Sequence, residues 1–366
     1  MKVMNIIWFS GRHFDDLCAT TQKSLAKGLV EKGHTLTFVN PDSNDPHEDY
    51  PWTHQGLNVK SIPGLKSISI ARKMRQWLMK NPLDQDSIVI LDWRIAYKLS
   101  PLLDASKVSW ILMDRSPPAD GNFLSRLQWY FWKRSWKLVK NHSTAVGCVV
   151  SDAHKEFITE RFGINPDKIT LIPAGVDTQL FKIGEKTDTV QLTYHGRLDK
   201  NRGLQQLIEI HSRLIQDGHN VKLNFHGKGN AKLSLEKYSS DSVTITGQLS
   251  SEDLSKKSSH YDIGFLPMSD QKVWRLASPL KRSEYLACGM VVLGIDHSGH
   301  TIKGTGDWFQ LFDQAHFVDK TVEFIKNLEL NMLRELQNQA RLFAESNIDW
   351  SVSVDRLNHL IHNSLD

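Results

Sequence analysis

One pattern constrains this chain more than any other: short apolar runs, each followed by a stretch of helical spacing, repeated in two series. "VMNIIWF", the helix-patterned "LCATTQKSLAKGLVEKG" and "HTLTFVN" form a β-α-β unit, the crossover that parallel strands require. "SIVILDW", "VSWILMD", "STAVGCVVSD" and "ITLIPAGVD" extend the first series. After Asp177 the stretch "TQLFKIGEKTDT" is polar and turn-prone and reads as a linker. The alternation then restarts with "VQLTYHG", "GLQQLIEIHSRLIQDG", "VKLNFHGKG", "VTITGQ", "IGFLPM", "PLKRSEYLACG" and "VVLGID". The expectation is an α/β chain of two halves, each with its own parallel sheet. Residues 1–180 form the first domain and 181–345 the second. Residues 346–366 form a closing helix, with Trp350, Val354, Leu357, Leu360 and Ile361 at helical spacing. Periodicity does not say where that helix packs, and a return to the first domain is one open placement.

Composition narrows the class. A chain of 366 residues exceeds one ordinary core, which agrees with two domains. The formal charge of +4 suits anionic small molecules or anionic membrane surfaces and is too weak to argue for nucleic acid. Cys18, Cys148 and Cys288 lie far apart in apolar contexts and read as reduced core residues. The start "MKVMNIIWFSG" lacks a signal-peptide pattern and no run reaches the length of a membrane span, so a cytoplasmic location is expected.

Charge then points to a site. Arg197 and Arg202 flank a turn into a helix, where the helix dipole is already positive. An anion between them would relieve the repulsion, and guanidinium groups with backbone N–H groups suit a diphosphate. The competing reading is a solvated loop in which the arginines pair with Asp199 or Glu209. Lys281 and Glu284, three residues apart, share one helix face, with Ser278 just before them; a plain surface Lys–Glu pair is the alternative. "FHGKGN" and "TGQLS" are glycine turns after strands, at the edge where open α/β sheets bind ligands, so Gly227, Gly229 and Gln248 are candidates for a nucleotide-base floor. "FSGRHFDD" places Gly11 and Arg12 after the first strand, and "WILMDRSPP" ends a buried strand in Asp114. A carboxylate there suits a general base in an inverting reaction; a helix cap or an Asp114–Arg115 pair is the alternative. His13, His142, His195 and His226 show no metal-ligand spacing, and arginine and lysine can neutralise a diphosphate without a metal.

"YHGRLDKNRGL", "LNFHGKGN", "VTITGQLSSEDL" and "SPLKRSEYLACGMVVLGID" occur in the order found in the C-terminal half of glycosyltransferase family four, and "IPAGVDTQLF" resembles its domain junction. The chain therefore resembles a GT-B glycosyltransferase. The resemblance implies two Rossmann-like domains with parallel sheets facing a cleft. It also implies transfer of a sugar from a UDP- or GDP-type nucleotide sugar, with no other cofactor and no metal. By the same resemblance the donor diphosphate falls to Arg197, Arg202, Lys281 and Gly11, and the ribose to Glu284. Arg202 replaces a lysine of the family pattern, which keeps charge and changes geometry. The pattern's other glutamate, eight positions before Glu284, is Leu276 here, and Asp270 is the substitute for contacting the donor sugar. Retention is the implied stereochemical course, with inversion left open by that departure. A non-catalytic nucleotide-sugar-binding protein, a GT-B epimerase and a phosphorylase with a lysine-bound pyridoxal cofactor are the rival readings.

"FLSRLQWYFWKRSWKLVKNH" interleaves Trp129, Trp132 and Trp136 with Arg126, Lys133, Arg134, Lys137 and Lys140. Two readings stand. One is a core helix with a basic outer face. The other is an interfacial helix docking residues Trp129–Lys140 on the anionic inner face of a membrane, near a glycan or lipid-linked acceptor.

Overall fold

A computed structural model describes residues 2–16, 19–44, 49–59, 66–118 and 123–364, without the side chains of 123–125. Cys18 lies outside the described residues. The chain divides into two compact units, residues 1–173 with 350–366, and residues 174–349.

The first unit runs β1 (Asn5–Phe9), α1 (Thr20–Glu31), β2 (Thr35–Asn40), β3 (Thr53–Gly56), α2 (Lys66–Lys80), β4 (Ser87–Leu91), α3 (Trp93–Ser106), β5 (Ser109–Met113), α4 (Phe123–Asn141), β6 (Ala145–Val149), α5 (Asp152–Phe162) and β7 (Ile169–Leu171). Its seven strands are parallel in the order β3-β2-β1-β4-β5-β6-β7. All five residues of β4 and of β5 are buried, as the uninterrupted apolar runs predict for central parallel strands. Successive residues feed opposite faces: Ile7, Phe9, Val89 and Leu91 enter one core, and Ile6, Trp8, Ile88 and Ile90 the other.

The second unit runs β8 (Val190–Arg197), α6 (Leu204–Gln216), β9 (Val221–Lys228), α7 (Lys232–Leu235), β10 (Val243–Thr246), α8 (Ser251–Ser258), β11 (Ile263–Leu266), α9 (Lys272–Arg275), α10 (Leu280–Ala287), β12 (Val291–Ile295), β13 (Phe309–Phe312), α11 (Phe317–Lys326) and α12 (Leu330–Asn347). Its six parallel strands are ordered β10-β9-β8-β11-β12-β13. The segment that reads as a linker starts as part of this unit. Phe181 is buried, and Arg341 donates to the carbonyls of Thr178, Phe181 and Ala287, which staples the segment to α12 and α10.

The closing helix α13 (Trp350–Asn363) returns to the first unit. Val354, Leu357, Leu360 and Ile361 enter the core that holds Leu25 and Leu29 of α1. The two helices approach closely at Gly28, where a Cβ would fall 2.3 Å from a Val354 methyl.

The tryptophans of α4 favour the core-helix reading over membrane docking. Trp132 and Trp136 are fully buried in the first unit's core, and the Trp136 indole lies against Gly147 of β6, where a Cβ would come within 2.5 Å of it. Their aromatic surface is already used in packing against the sheet. Arg134, Lys137 and Lys140 are exposed on the outer face. Among the described residues no helix is long and apolar enough to cross a membrane.

Candidate functional site

The carboxyl ends of β8 and β9 shape the candidate site. These strands pair in register, His195 opposite His226 and Gly196 opposite Gly227. Gly227 has φ +152°, and a Cβ there would fall 1.8 Å from the Gly196 carbonyl oxygen. Gly196 has φ +117°, and a Cβ there would stand 3.2 Å from Lys281 Nζ. Both positions are closed to other residues by backbone and by space. The glycine turns at the strand ends thus admit a lysine from α10.

Lys281 is the second residue of α10, and its Nζ lies 3.9 Å from the centroid of the Tyr194 ring. Burial, and then the charge of Arg202, hold its pKa well below the ordinary lysine value, against a smaller opposing effect of Glu284. It forms no hydrogen bond or carboxylate ion pair among the described residues. Arg202 stacks its guanidinium 4.1 Å from the centroid of the Trp274 ring. One turn beyond Lys281, Glu284 Oε2 accepts from His195 Nε2 at 2.6 Å. That bond fixes the carboxylate and leaves Oε1 with no hydrogen bond among the described residues. The His195 backbone N–H in turn donates to the Tyr285 hydroxyl at 3.1 Å. The face therefore presents two cations set against aromatic rings, and a carboxylate held by one of its two oxygens.

Other expected site residues fall elsewhere or are engaged. Arg197 is mostly exposed and donates through Nε and Nη2 to Asp199, at 2.9 and 3.2 Å. Burial alone would raise the Asp199 pKa. The Arg197 hydrogen bond, the Asn230 N–H and the charges of Arg197 and Arg202 outweigh it, so the pKa is lowered. The carboxylate pairing that the sequence offered as the alternative to a diphosphate is thus present in this structure. Asp270 forms a two-point ion pair with Arg275, at 2.5 and 2.7 Å, so its carboxylate is engaged by Arg275 in this structure. Ser278 Oγ accepts from Arg282 Nη2 at 3.3 Å. Gln248 is exposed on the loop between β10 and α8.

Two expectations fall in the first unit. Gly11 follows β1, but its N–H donates to Asp92 Oδ2 at 2.9 Å, so this backbone donor is not offered to a phosphate. Asp114 is fully buried. Its Oδ2 accepts from Trp132 Nε1 at 2.6 Å and from Trp136 Nε1 at 2.8 Å, and His154 Nε2 lies 3.3 Å away. A base must reach its substrate, and this carboxylate is sealed behind two indoles. Asp114 is corrected from catalyst to core anchor.

Sequence reading did not single out Tyr194, His195 or Trp274 for the site. Each depends on a partner brought in from a distant segment. Arg282 escaped notice too: it is buried, donates to the carbonyls of His300 and Thr301 at 2.9 Å each, and pins the turn after β12 beside Lys281. Burial lowers its pKa to about 10. Among the described residues no group of three or more His, Cys, Asp or Glu could hold a metal ion.

Two parallel α/β sheets in succession, the second carrying this cationic face at its strand ends, define a GT-B sugar-transferring enzyme. Residues 19–180 match the model described as Glycosyltransferase Family 4, and residues 189–344 match Glycosyl transferases group 1. The chain belongs to the glycosyltransferases, with a family 4 domain followed by a group 1 domain. Solved structures agree in fold. A sucrose-phosphate synthase from Thermosynechococcus elongatus superposes with a TM-score of 0.77 at 15% identity, covering 98% of each chain. A glycosyltransferase from Rickettsia africae gives 0.75 at 15% identity over 100% of both chains. HepE from Anabaena, in complex with UDP and glucose, gives 0.72 at 11% identity, covering 98% of this chain and 100% of that one. Among curated proteins no significant match is found.

Proposed function

We propose that this glycosyltransferase takes its sugar from a uridine-type nucleotide sugar and passes it to a glycan or lipid-linked hydroxyl. In this reading Lys281 and Arg202 receive the donor diphosphate and Glu284 Oε1 accepts from a ribose hydroxyl. The observation that carries the reading is Lys281, a cation with Arg202 nearby and its neighbouring carboxylate tied to His195. A diphosphate brings the negative charge this face lacks, and the same groups would stabilise the charge that builds on the leaving group as the glycosidic bond breaks. No metal is needed for that step in this reading. The likeness in fold to HepE, whose structure holds UDP and glucose, supports uridine as the first base to test.

The test is a melting-temperature series with UDP, GDP, ADP and their glucose conjugates. A ligand that binds only the folded state raises the transition by mass action. UDP and UDP-glucose are expected to raise it more than uridine does. A response confined to GDP or ADP would change the base, and no response to any diphosphate would refute the site.

A further inference from the structure

We propose that His195 is a positioning residue that keeps Glu284 and Lys281 from pairing with each other, so that the carboxylate is offered to ribose and the ammonium to diphosphate; the proposal rests on the donor reading above. Lys281 and Glu284 stand three residues apart on α10, within reach of an ion pair on one helix face. Two such groups left to themselves satisfy each other, and a ligand must then break the pair before it can use either one. In this structure they form no ion pair with each other.

Glu284 Oε2 is turned to His195 Nε2 at 2.6 Å. The Lys281 ammonium lies against the Tyr194 ring, 3.9 Å from its centroid, and 3.2 Å from where a Cβ on Gly196 would stand. A carboxylate only accepts, so His195 Nε2 carries the hydrogen. The histidine is itself held firmly. It is buried in β8, and its backbone N–H donates to the Tyr285 hydroxyl at 3.1 Å. Its ring meets the Tyr285 ring edge-on, with centroids 4.6 Å apart. Its Nδ1 is buried without a hydrogen-bond partner among the described residues. An unpaired buried nitrogen costs stability. An apolar side chain would fill the same place without that cost; what the imidazole adds is the donor to Glu284. His226, opposite on β9, is occupied on both sides, by Thr246 Oγ1 and by the Tyr261 hydroxyl, each at 2.6 Å. Burial, and then the nearness of His195 and Lys257, lower the His226 pKa to about 4, so it stays neutral and offers Glu284 no competing charge.

Without the imidazole donor, Glu284 is free to turn to Lys281, whose ammonium then carries a counter-charge before any diphosphate arrives. One substitution thus weakens both halves of the donor: ribose loses its acceptor, and diphosphate loses part of its cation. Removing the carboxylate as well gives the cation back.

The test is titration calorimetry on the full chain with UDP, 2′-deoxy-UDP and uridine, with melting curves to confirm folding. His195→Ala is expected to lower the preference for UDP over 2′-deoxy-UDP by about 5- to 30-fold and to weaken UDP more than uridine. His195→Gln, whose amide can still donate to Glu284, should keep most of both. His195→Leu, which fills the place without donating, should match His195→Ala and replaces it if the smaller side chain fails to fold. The decisive variant combines His195→Leu with Glu284→Gln. A neutral amide cannot pair ionically with Lys281, so the double variant should bind UDP about threefold or more tightly than His195→Leu alone. A histidine that only fills the core predicts further loss or no change. The proposal is overturned if His195→Leu keeps the wild-type ribose preference, if it weakens UDP and uridine equally, or if the double variant binds UDP no more tightly than His195→Leu. If Glu284→Gln alone leaves the ribose preference unchanged, or wild type binds no UDP, the donor reading falls and the proposal with it.

Discussion

The ammonium of Lys281 rests 3.9 Å from the centroid of the Tyr194 ring, and Glu284, one turn further along the helix, is held by His195. A lysine with this lowered pKa carries a linkage consequence. Between the lowered value and the ordinary 10.5, the unfolded chain holds a proton that the folded chain has lost. Stability without ligand should therefore rise with pH across that window. A bound diphosphate reverses the bias and restores the proton. Calorimetry of UDP binding in two buffers of different ionisation enthalpy, at a pH inside the window, should show proton uptake in wild type and none in Lys281→Met. Equal uptake in both proteins would detach the titration from Lys281.

Glu284→Gln should reduce discrimination between UDP and 2′-deoxy-UDP. The neutral amide is a weaker acceptor, and it loses the charge-assisted bond from His195. A drop of about 1–2 kcal/mol in the ribose preference is expected from the cost of one charged hydrogen bond. Unchanged ratios of dissociation constants would remove Glu284 from ribose recognition.

Asp114→Ala should act on stability. The substitution leaves two buried indole N–H groups without their acceptor, and each unsatisfied buried donor typically costs about 1–3 kcal/mol. Burial alone would raise the pKa of Asp114. His154 and the indole donors outweigh it and leave the pKa below its ordinary 3.8. Its stabilising contribution is therefore complete above about pH 4 and fades as pH falls through the lowered value. Wild type should lose melting temperature in that acid range more steeply than Asp114→Asn. A variant with an unchanged melting curve and lost turnover would return Asp114 to catalysis.

Trp132→Ser tests the core reading of α4. Truncating a buried tryptophan costs about 3–5 kcal/mol, so the melting temperature should fall by many degrees. Wild type should not co-sediment with anionic vesicles through its indoles. Vesicle binding that Trp132→Ser abolishes without loss of stability would contradict the burial.

The contrast among these residues shows what the sequence made legible. Both sheets could be read because their strands are uninterrupted apolar runs, and α13 because of its spacing; the packing of α13 on α1 depends on the Gly28–Val354 approach, which no local pattern encodes. Lys281 and Glu284 stood out because three residues on a helix place them on one face. The sequence left Arg197 open between an anion and Asp199, since a partner two residues away satisfies either geometry. Asp114 was misread because its partners lie 18 and 22 residues on, across a helix–sheet contact. The same holds for His195 and Glu284, 89 positions apart, and for the pairing of His13 with Asp42 across neighbouring strand ends.

The most direct test of the donor site is the affinity of UDP and of uridine for wild type and Lys281→Met, measured by titration calorimetry at neutral pH. Removing one charge-assisted contact should weaken UDP binding by about 1.5–3 kcal/mol and leave uridine binding within error of wild type. Equal losses for the two ligands, or none for UDP, would contradict the assignment of the diphosphate to Lys281.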